Sequence, residues 1–424
     1  MSRFLIISEG GDGSGLALRL KLEGHEAKIW IRDAEAEKRC SGLIECADAY
    51  SYGQTIVADC TGAGALLDAF KEAGVPTIGG SSIADKLEGD RKFAEEVFRN
   101  SNIRTPRSAS ATDWEDAATA IGALEGETGR VVLKPEGRSS GVVPSYVSHD
   151  IEDAMKYLEQ MKKLCGEKCE LTIQEYIQGT ALSTEGWFDG DNWIGGMFNH
   201  TIERKQFLNE DLGPSGGCTG NLVWACGEDV LVSKLLTPLT VFLREHRYKG
   251  AIDVNAVINE EDAYALEFTP RFGYDAFPTL LTSLSNFDFG MFLDRMARGY
   301  GNTEVLREGF GAGVRLSIPP WPSEKYHADE HVAIRGFSRA SEEWFYPMDV
   351  QLDEEGELES SGGYGILGVV NGFGDSVDMA FESAYRILNR LRIPGKQYRT
   401  DLAEVCGKDF RSLQRLFEGE LVNA

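Results

Sequence analysis

The chain has 424 residues, 42% of them hydrophobic and 26% charged, with a formal charge of −25 at neutral pH. That length predicts two to four domains, and the composition is that of an ordinary globular protein. The acidic excess argues against a nucleic-acid partner, which needs a basic face, and no apolar run reaches the length of a membrane span. The first residues turn polar too early for a secretory signal, which predicts a cytoplasmic protein. Eight scattered cysteines, with only Cys165 and Cys169 near one another, predict reduced thiols.

In chain order, the pattern predicts a strand over 3–8, a glycine-rich turn over 9–15, a helix over 16–23 and a strand over 27–32. That is the β-α-β opening of a doubly wound domain. Gly11, Gly13 and Gly15 lack the G-x-G-x-x-G spacing, and no clear ribose-binding acid ends the second strand. A dinucleotide oxidoreductase is therefore disfavoured. A helix follows over 83–100 with Leu87, Phe93, Val97 and Phe98 facing the core, and Pro106 marks the exit from this domain.

The second block reads as helix 114–124, strand 130–134, a Gly/Ser loop over 135–141, strand 142–147, helix 151–163 and strand 170–177. A hairpin with an Asp-Gly turn covers 186–195, followed by a long loop over 203–221 and a helix over 229–245. From 311 on, short glycine-rich strands precede a helix in which Val377, Phe381, Ala384, Leu388 and Leu391 repeat at heptad-like spacing. That stripe is core packing.

The chemistry gathers at three places. Residues 251–258 and 263–273 are apolar, β-branched runs about a polar turn at 259–262, which predicts a hairpin. Pairing about that turn puts Asp253 opposite Glu267 or Phe268, and the first register brings two carboxylates within roughly 5 Å. Thr269 shares the face of Glu267. Such an oxygen-only set suits Mg²⁺, which completes its shell with substrate phosphates. Lys134 ends an apolar strand before a flexible loop whose amides can fold over anionic oxygens. In the strand 170–177, Glu175 could accept an adenine amine while the backbone at Tyr176 and Ile177 reads the ring edge. The six histidines are dispersed and form no nucleophilic arrangement.

The order of these features resembles the ATP-grasp superfamily, and within it the phosphoribosylamine–glycine ligase family. Leu87-Glu-Gly-Asp-Arg91 followed by Phe93 is similar to that family's helix-start motif, and Gln174-Glu-Tyr-Ile-Gln-Gly179 to its adenine hinge. Leu212-Gly-Pro-Ser-Gly-Gly-Cys-Thr-Gly220 is similar to its glycine loop, and Leu266-Glu-Phe-Thr-Pro-Arg-Phe-Gly273 to its metal and phosphate strand. Val314-Arg-Leu-Ser-Ile-Pro-Pro-Trp-Pro322 and the terminal Ala384-Tyr385 with Tyr398-Arg-Thr-Asp-Leu402 resemble its C-terminal domain, which generic ATP-grasp proteins lack.

The resemblance implies a mixed α/β and α+β multidomain fold. A Rossmann-like domain would cover 1–104, a small ATP-grasp lid 105–186, the large ATP-grasp subdomain with the metal site 187–310, and a small C-terminal α+β domain 311–424. It implies an ADP-forming C–N ligase of purine biosynthesis that joins a carboxylate to an amine through an acyl phosphate, with ATP and Mg²⁺ or Mn²⁺ as cofactors. Its partners would be small molecules, with no membrane or nucleic acid, and the protein a monomer or homodimer. ATP would be held by Arg91, Lys134, Gly137, Ser139, Ser140, Gly141, Glu175, Tyr176, Ile177 and Glu185. The metal would sit on Asp253, Glu267 and Thr269; the catalytic residues would be Arg271, on the transferring phosphoryl group, and Lys205, where the family places basic residues before its glycine loop.

The chain departs from the family pattern at several of these places. Thr269 stands where the family has asparagine, and Arg91 where it has lysine. Thr180-Ala181 replaces a ribose-binding acidic pair, so that either Glu185 substitutes or the ribose is held loosely. Gly13-Ser-Gly-Leu, the segment 59–64 and Tyr274-Asp-Ala276 differ on the substrate side. ATP-side residues are kept more fully than substrate-side ones, which leaves open a ligase for another carboxylate and amine, or a non-catalytic ATP-binding assembly protein.

Overall fold

The computed structural model describes residues 1–33, 36, 38–47, 54–126, 128–136, 143–166, 170–323 and 326–418. The chain opens with β1 (Arg3–Ser8), α1 (Ser14–Leu22), β2 (Glu26–Ile31), β3 (Thr55–Ala58), α2 (Gly64–Glu72) and β4 (Thr77–Ile78). Their parallel sheet has the order β2-β1-β3-β4. Phe4, Leu5, Ile6 and Ile7 of β1 are all fully buried, as a strand covered on both faces requires. The helix expected over 83–100 is in fact two. α3 (Ser82–Gly89) stops at Asp90, whose extended backbone lets its carboxylate cap the amide of Phe93 in α4 (Arg91–Asn100).

Next come β5 (Ser108–Ala111), α5 (Trp114–Leu124), β6 (Val131–Pro135), β7 (Tyr146–Val147), α6 (Ile151–Cys165) and β8 (Leu171–Glu175). The sheet β5-β8-β6-β7 is antiparallel, and Ala117, Ile121, Leu158 and Met161 of its helices cover one face. Among the described residues, the strand expected over 142–147 is confined to Tyr146–Val147. Gly137, Ser139, Ser140 and Gly141 lie outside the described residues.

The third block holds β9 (Thr180–Asp189), β10 (Trp193–Leu208), β11 (Leu212–Cys226), α7 (Thr240–Glu245), β12 (Lys249–Ile258), β13 (Ala263–Thr269), α8 (Ala276–Thr279) and α9 (Phe289–Arg298). The last holds β14 (Phe310–Ser317), β15 (Glu330–Ala333), α10 (Arg339–Glu342), β16 (Phe345–Pro347), β17 (Val350–Leu352), β18 (Leu358–Ser361), β19 (Ile366–Gly374), α11 (Val377–Leu388) and α12 (Leu402–Glu418). One eight-stranded sheet, β13-β12-β9-β10-β11-β14-β19-β16, spans both blocks.

That sheet revises several expectations. The small and large sheets divide between Glu175 and Thr180, so residue 186 falls inside β9. Residues after 310 do not stand apart as a domain with its own main sheet, because β14, β19 and β16 extend the large one. The segment 203–221 is no loop but a paired ribbon of β10 and β11, turned at Asn209–Asp211. The Thr219 hydroxyl holds its register shift by meeting the carbonyls of Arg204 and Gln206 at 3.0 and 2.9 Å. The expected helix 229–245 is broken into Val232–Leu236, Thr237–Leu239 and α7, with Pro238 unable to donate to a regular ladder. Leu391 lies beyond the end of α11, although it is buried with the rest of the stripe.

Trp187 of β9 is fully buried among Phe272, Phe289 and Phe292, at ring distances of 5.6, 5.7 and 5.2 Å. Burying each such side chain contributes roughly 1.5–3 kcal/mol, which anchors α9 beneath one end of β9. No helix among the described residues is long and apolar enough to cross a membrane.

Candidate active site

Alternation gives the large sheet two faces. Leu182, Ile202, Leu222, Val254, Ala256 and Phe268 enter a core on one. On the other, the apolar base of Trp187, Met197, Val223 and Ala251 gives way along the strands to polar groups. Ser183 and Glu185 stand on β9, Asp253 and Asn255 on β12, and Glu267 and Thr269 on β13.

The hairpin 251–269 forms, but neither expected register does. Asp253 lies opposite Thr269, and Glu267 opposite Asn255. The cause is a β-bulge between Asn255 and Ala256, where Leu266 is the extra residue on β13. Asp253 and Glu267 are therefore diagonal neighbours, about 7–8 Å apart at their backbones, not a facing pair. The acid that does face Asp253 is Glu185, on the other side of β12.

Both facing acids are buried. Burial is the main reason that the Asp253 carboxyl is raised far above its usual range, with Glu185 and Glu203 adding to it. Burial likewise pushes Glu185 up to about 8, and its Oε1 has no hydrogen-bond partner among the described residues. Asn255 ties the group together: its Nδ2 donates to Asp253 Oδ1 and Thr269 Oγ1, both at 3.0 Å, while its Oδ1 accepts from Ser183 at 2.6 Å. Buried carboxylates, an orphaned oxygen and hydroxyl and amide donors make an oxygen-only set that fits a hard divalent cation such as Mg²⁺. Glu185, proposed from sequence as a ribose ligand, thus stands in this acid cluster. Asn255 and Glu203 were missed, although Asn255 is two residues from Asp253 and so shares its face.

If the cluster takes Mg²⁺, the Glu185 carboxyl must shed its proton when the ion enters near neutral pH. Calorimetric titration in buffers of different ionisation heat should then read proton release at pH 7. In Glu185→Gln that release should fall by about one proton and Mg²⁺ affinity by about tenfold. Unchanged proton release in the variant would contradict the assignment.

Facing this cluster is a set of cations. Lys134 is the penultimate residue of β6, Arg91 begins α4 and Lys205 projects from β10 on the same face as Glu203. Burial lowers the Lys134 ammonium to about 8, and the charges of Arg91 and Lys205 push the same way, while Glu267 and Glu95 oppose them. Among the described residues Lys134 has no hydrogen-bonding or ion-pair partner. Arg91 Nη1 is buried and likewise without a hydrogen bond, with Glu136 Oε1 at 3.7 Å. Crowded cations, of which Lys134 makes no direct ion pair among the described residues, form a place for a polyanion.

The adenine expectation changes in detail. Lys134 lies opposite Thr172 and Val132 opposite Gln174, so Thr172 and Gln174 share the lysine's face. Glu175 pairs with Val131 and turns toward the helix-covered face, where its carboxylate accepts from Arg107 Nε at 2.7 Å. Gln174, which is buried, is the strand-end residue on the face of Lys134. Tyr176 and Ile177 follow β8 in the connection to β9, with the Arg130 guanidinium 3.8 Å from the Tyr176 ring centre.

Arg271, just past β13, is bound twice by Glu88, at 3.1 and 3.0 Å, and donates to the Phe272 carbonyl at 2.9 Å. Asp253 contributes to its charge environment. It also lines a cavity of about 510 Å³ shared by the first domain, the Ser215–Gly217 part of the ribbon and the C-terminal strands. Arg271 thus stands between the acid cluster and a partly open cleft with room for a small molecule.

Residues 89–276 match the family model described as phosphoribosylglycinamide synthetase, ATP-grasp (A) domain. The chain is 25% identical over 349 residues to a phosphoribosylamine–glycine ligase of Streptomyces coelicolor, covering 80% of each. It is 24% identical over 426 residues to that of Clostridium acetobutylicum, covering 95% of this chain and 99% of the relative. Among solved structures, a phosphoribosylamine–glycine ligase from Thermotoga maritima superposes with a TM-score of 0.72 at 19% identity, covering 94% of this chain and 99% of that one. A biotin carboxylase from Campylobacter jejuni gives 0.62 at 14% identity, covering 94% and 93%. Residues 89–276 thus match the ATP-grasp domain of the phosphoribosylamine–glycine ligase family, and the chain is similar to members of that family over most of its length.

Proposed function

We propose that the protein is an ATP-dependent carboxylate–amine ligase that works through an acyl phosphate. The observation that carries this reading is the opposition of Lys134, Arg91 and Lys205 to a buried oxygen-only cluster, with Arg271 leading from there into a cavity. A carboxylate is too weak an electrophile to acylate an amine in water. Its oxygen would attack the γ-phosphorus of ATP, ADP leaving with the electron pair of the broken P–O bond. The amine nitrogen would then attack the acyl carbon, and phosphate would leave carrying the nitrogen's surplus proton. No side-chain nucleophile is needed.

Lys134, Arg91 and Lys205 would hold the triphosphate, and Arg271 would meet the charge that develops on the transferring group. Asp253, Glu185, Glu267 and Thr269 would hold Mg²⁺, oriented by Asn255. When bound, the ion supplies charge neutralisation on the phosphate oxygens. Phosphoribosylamine and glycine, named for the relatives, form the first substrate pair to assay. The changed residues of the first domain favour a second reading, in which a different pair is joined.

Hydroxylamine intercepts acyl phosphates, so a panel of carboxylates including glycine, with ATP, Mg²⁺ and hydroxylamine, tests the reaction class without knowing the amine. Hydroxamate formed in step with ADP is the expected result for at least one acid. Clear ATP binding without ADP or hydroxamate from any acid would favour a non-catalytic ATP-binding protein instead.

A further inference from the structure

The ligase reading leaves the acceptor amine open, and the charges around the 510 Å³ cavity bear on it. Its first-domain wall carries Glu9, Asp12 and Asp59. The guanidiniums that line it, Arg39, Arg271 and Arg315, are each already held by a carboxylate: Asp349 at 2.6 Å, Glu88 at 3.0 Å and Asp275 at 2.7 Å. Glu9 in turn holds Arg32 at 2.9 Å, and Asp12 stands 3.7 Å from Arg39. Among the described residues, three carboxylates and three guanidiniums line this space, and with the partners behind them six carboxylates are set against four guanidiniums. A phosphate dianion needs the opposite balance.

The start of α1, where a doubly wound domain could offer amides to an anion, is filled by the chain itself. Ser8 Oγ accepts the amides of Gly11 and Gly13 at 3.0 and 3.3 Å. The Tyr346 hydroxyl accepts that of Leu16 at 3.1 Å. A Cβ at Gly13 would lie 2.6 Å from Asp59 Oδ2, and one at Gly15 would lie 2.5 Å from the Tyr346 ring. A carboxylate and a phenol therefore press against the turn.

Asp59 is only 8% exposed yet lines the cavity. Its Oδ2 accepts from Ser8 Oγ at 2.5 Å, while its Oδ1 is buried with no hydrogen-bond partner among the described residues. Burial, partly offset by Ser8, pushes its carboxyl up to about 7. A buried acceptor with no donor is costly, and a ligand that brings one removes that cost.

We infer that this cavity receives the acceptor amine as an unphosphorylated ammonium compound, docked on Asp59 and Asp12. The inference rests on the ligase reading and narrows it, since it sets aside the phosphorylated amine in the relatives' name. The cavity selects by charge: an ammonium supplies the donor that Asp59 Oδ1 lacks, whereas a phosphate would meet Asp12, Asp59 and Glu9.

The test has two arms. In the first, the full-length protein is titrated calorimetrically with ribose 5-phosphate, the phosphorylated part of phosphoribosylamine. No binding at millimolar concentration is expected, and micromolar binding would overturn the inference whether or not the protein turns over. In the second, amino acids, diamines and amino sugars are added to the hydroxylamine-trapped reaction beside phosphoribosylamine. An unphosphorylated amine should divert the acyl group, lowering hydroxamate at constant ADP. Diversion by phosphoribosylamine alone, or by no amine, would overturn the inference while leaving the ligase reading intact. Absence of hydroxamate from every acid would instead sink the ligase reading, and the first arm would still decide the charge preference of the cavity. For the amine that diverts, Asp59→Asn should raise KM about tenfold with kcat little changed, as expected for a lost charged hydrogen bond. Asp12→Asn, on a more exposed side chain, gives the same comparison if the first variant folds poorly, and an unchanged KM in both would count against docking there.

Discussion

Glu267→Ala should lower ATP-dependent turnover by about 10³-fold, the scale of losing a preorganised charge at the reacting centre. Glu267 is the exposed acid of the cluster, facing the cleft beside Lys134, whereas Asp253 and Glu185 are buried. It is therefore the carboxylate best placed to serve a metal shared with substrate phosphates. Because the side chain is exposed, its removal should leave the fold intact, and an unchanged melting temperature would separate chemistry from stability. The measurement is ADP release with saturating carboxylate and amine. A variant within tenfold of the parent would rule out Glu267 as a principal ligand.

Lys134→Met should weaken ATP binding by about 100-fold, the cost of deleting one charged contact to phosphate in a desolvated site. The pH dependence gives an independent signature. The ammonium, lowered to about 8 by burial and then by Arg91, is charged below that pH and loses its proton above it. ATP prefers the charged form, so affinity measured without Mg²⁺ should fall by up to about tenfold per unit above pH 8. The sign for stability is opposite: between about 8 and the ordinary 10.5, the unfolded chain holds a proton that the native one has lost. The native state therefore gains from this group as pH rises through that window. Titration with ATP at pH 7, 8 and 9 reads the effect, and the variant should lose the decline. A parent affinity that stays level to pH 9 would contradict the assignment.

Much of the fold was legible because its signals are local. The β-α-β opening, the strand carrying Lys134 and the hairpin 251–269 each announce themselves by period and turn chemistry. The site was legible as a list of residues but not as a set of neighbours. That Glu185 faces Asp253 depends on β9 pairing with β12, a contact far apart in sequence with no local mark. The glycines of 212–220 read as a loop, yet they sit in β11, which is paired on both sides from Gly220 on, where Gly220 meets Arg204 and Val314. Glu175 was legible in principle: once Lys134 is set against Thr172, alternation assigns Gln174 and not Glu175 to its face. The break at Asp90 was also signalled, since glycine followed by aspartate is a common stop and start for helices.

The single extra residue at Leu266 acts as a parity device. A pleated strand counts side chains in twos, and counting back from Ile258 opposite Ala263 without the bulge would set Phe268 across from Asp253. Glu267 and Thr269 would then point into the apolar core, and Phe268, now stacked on Phe98 at 4.0 Å, would point into the cleft. Lengthening or shortening this hairpin by an odd number of residues thus exchanges an acid for an aromatic ring at the reaction centre, even if every residue type is kept. Changes in even steps leave the chemistry where it is.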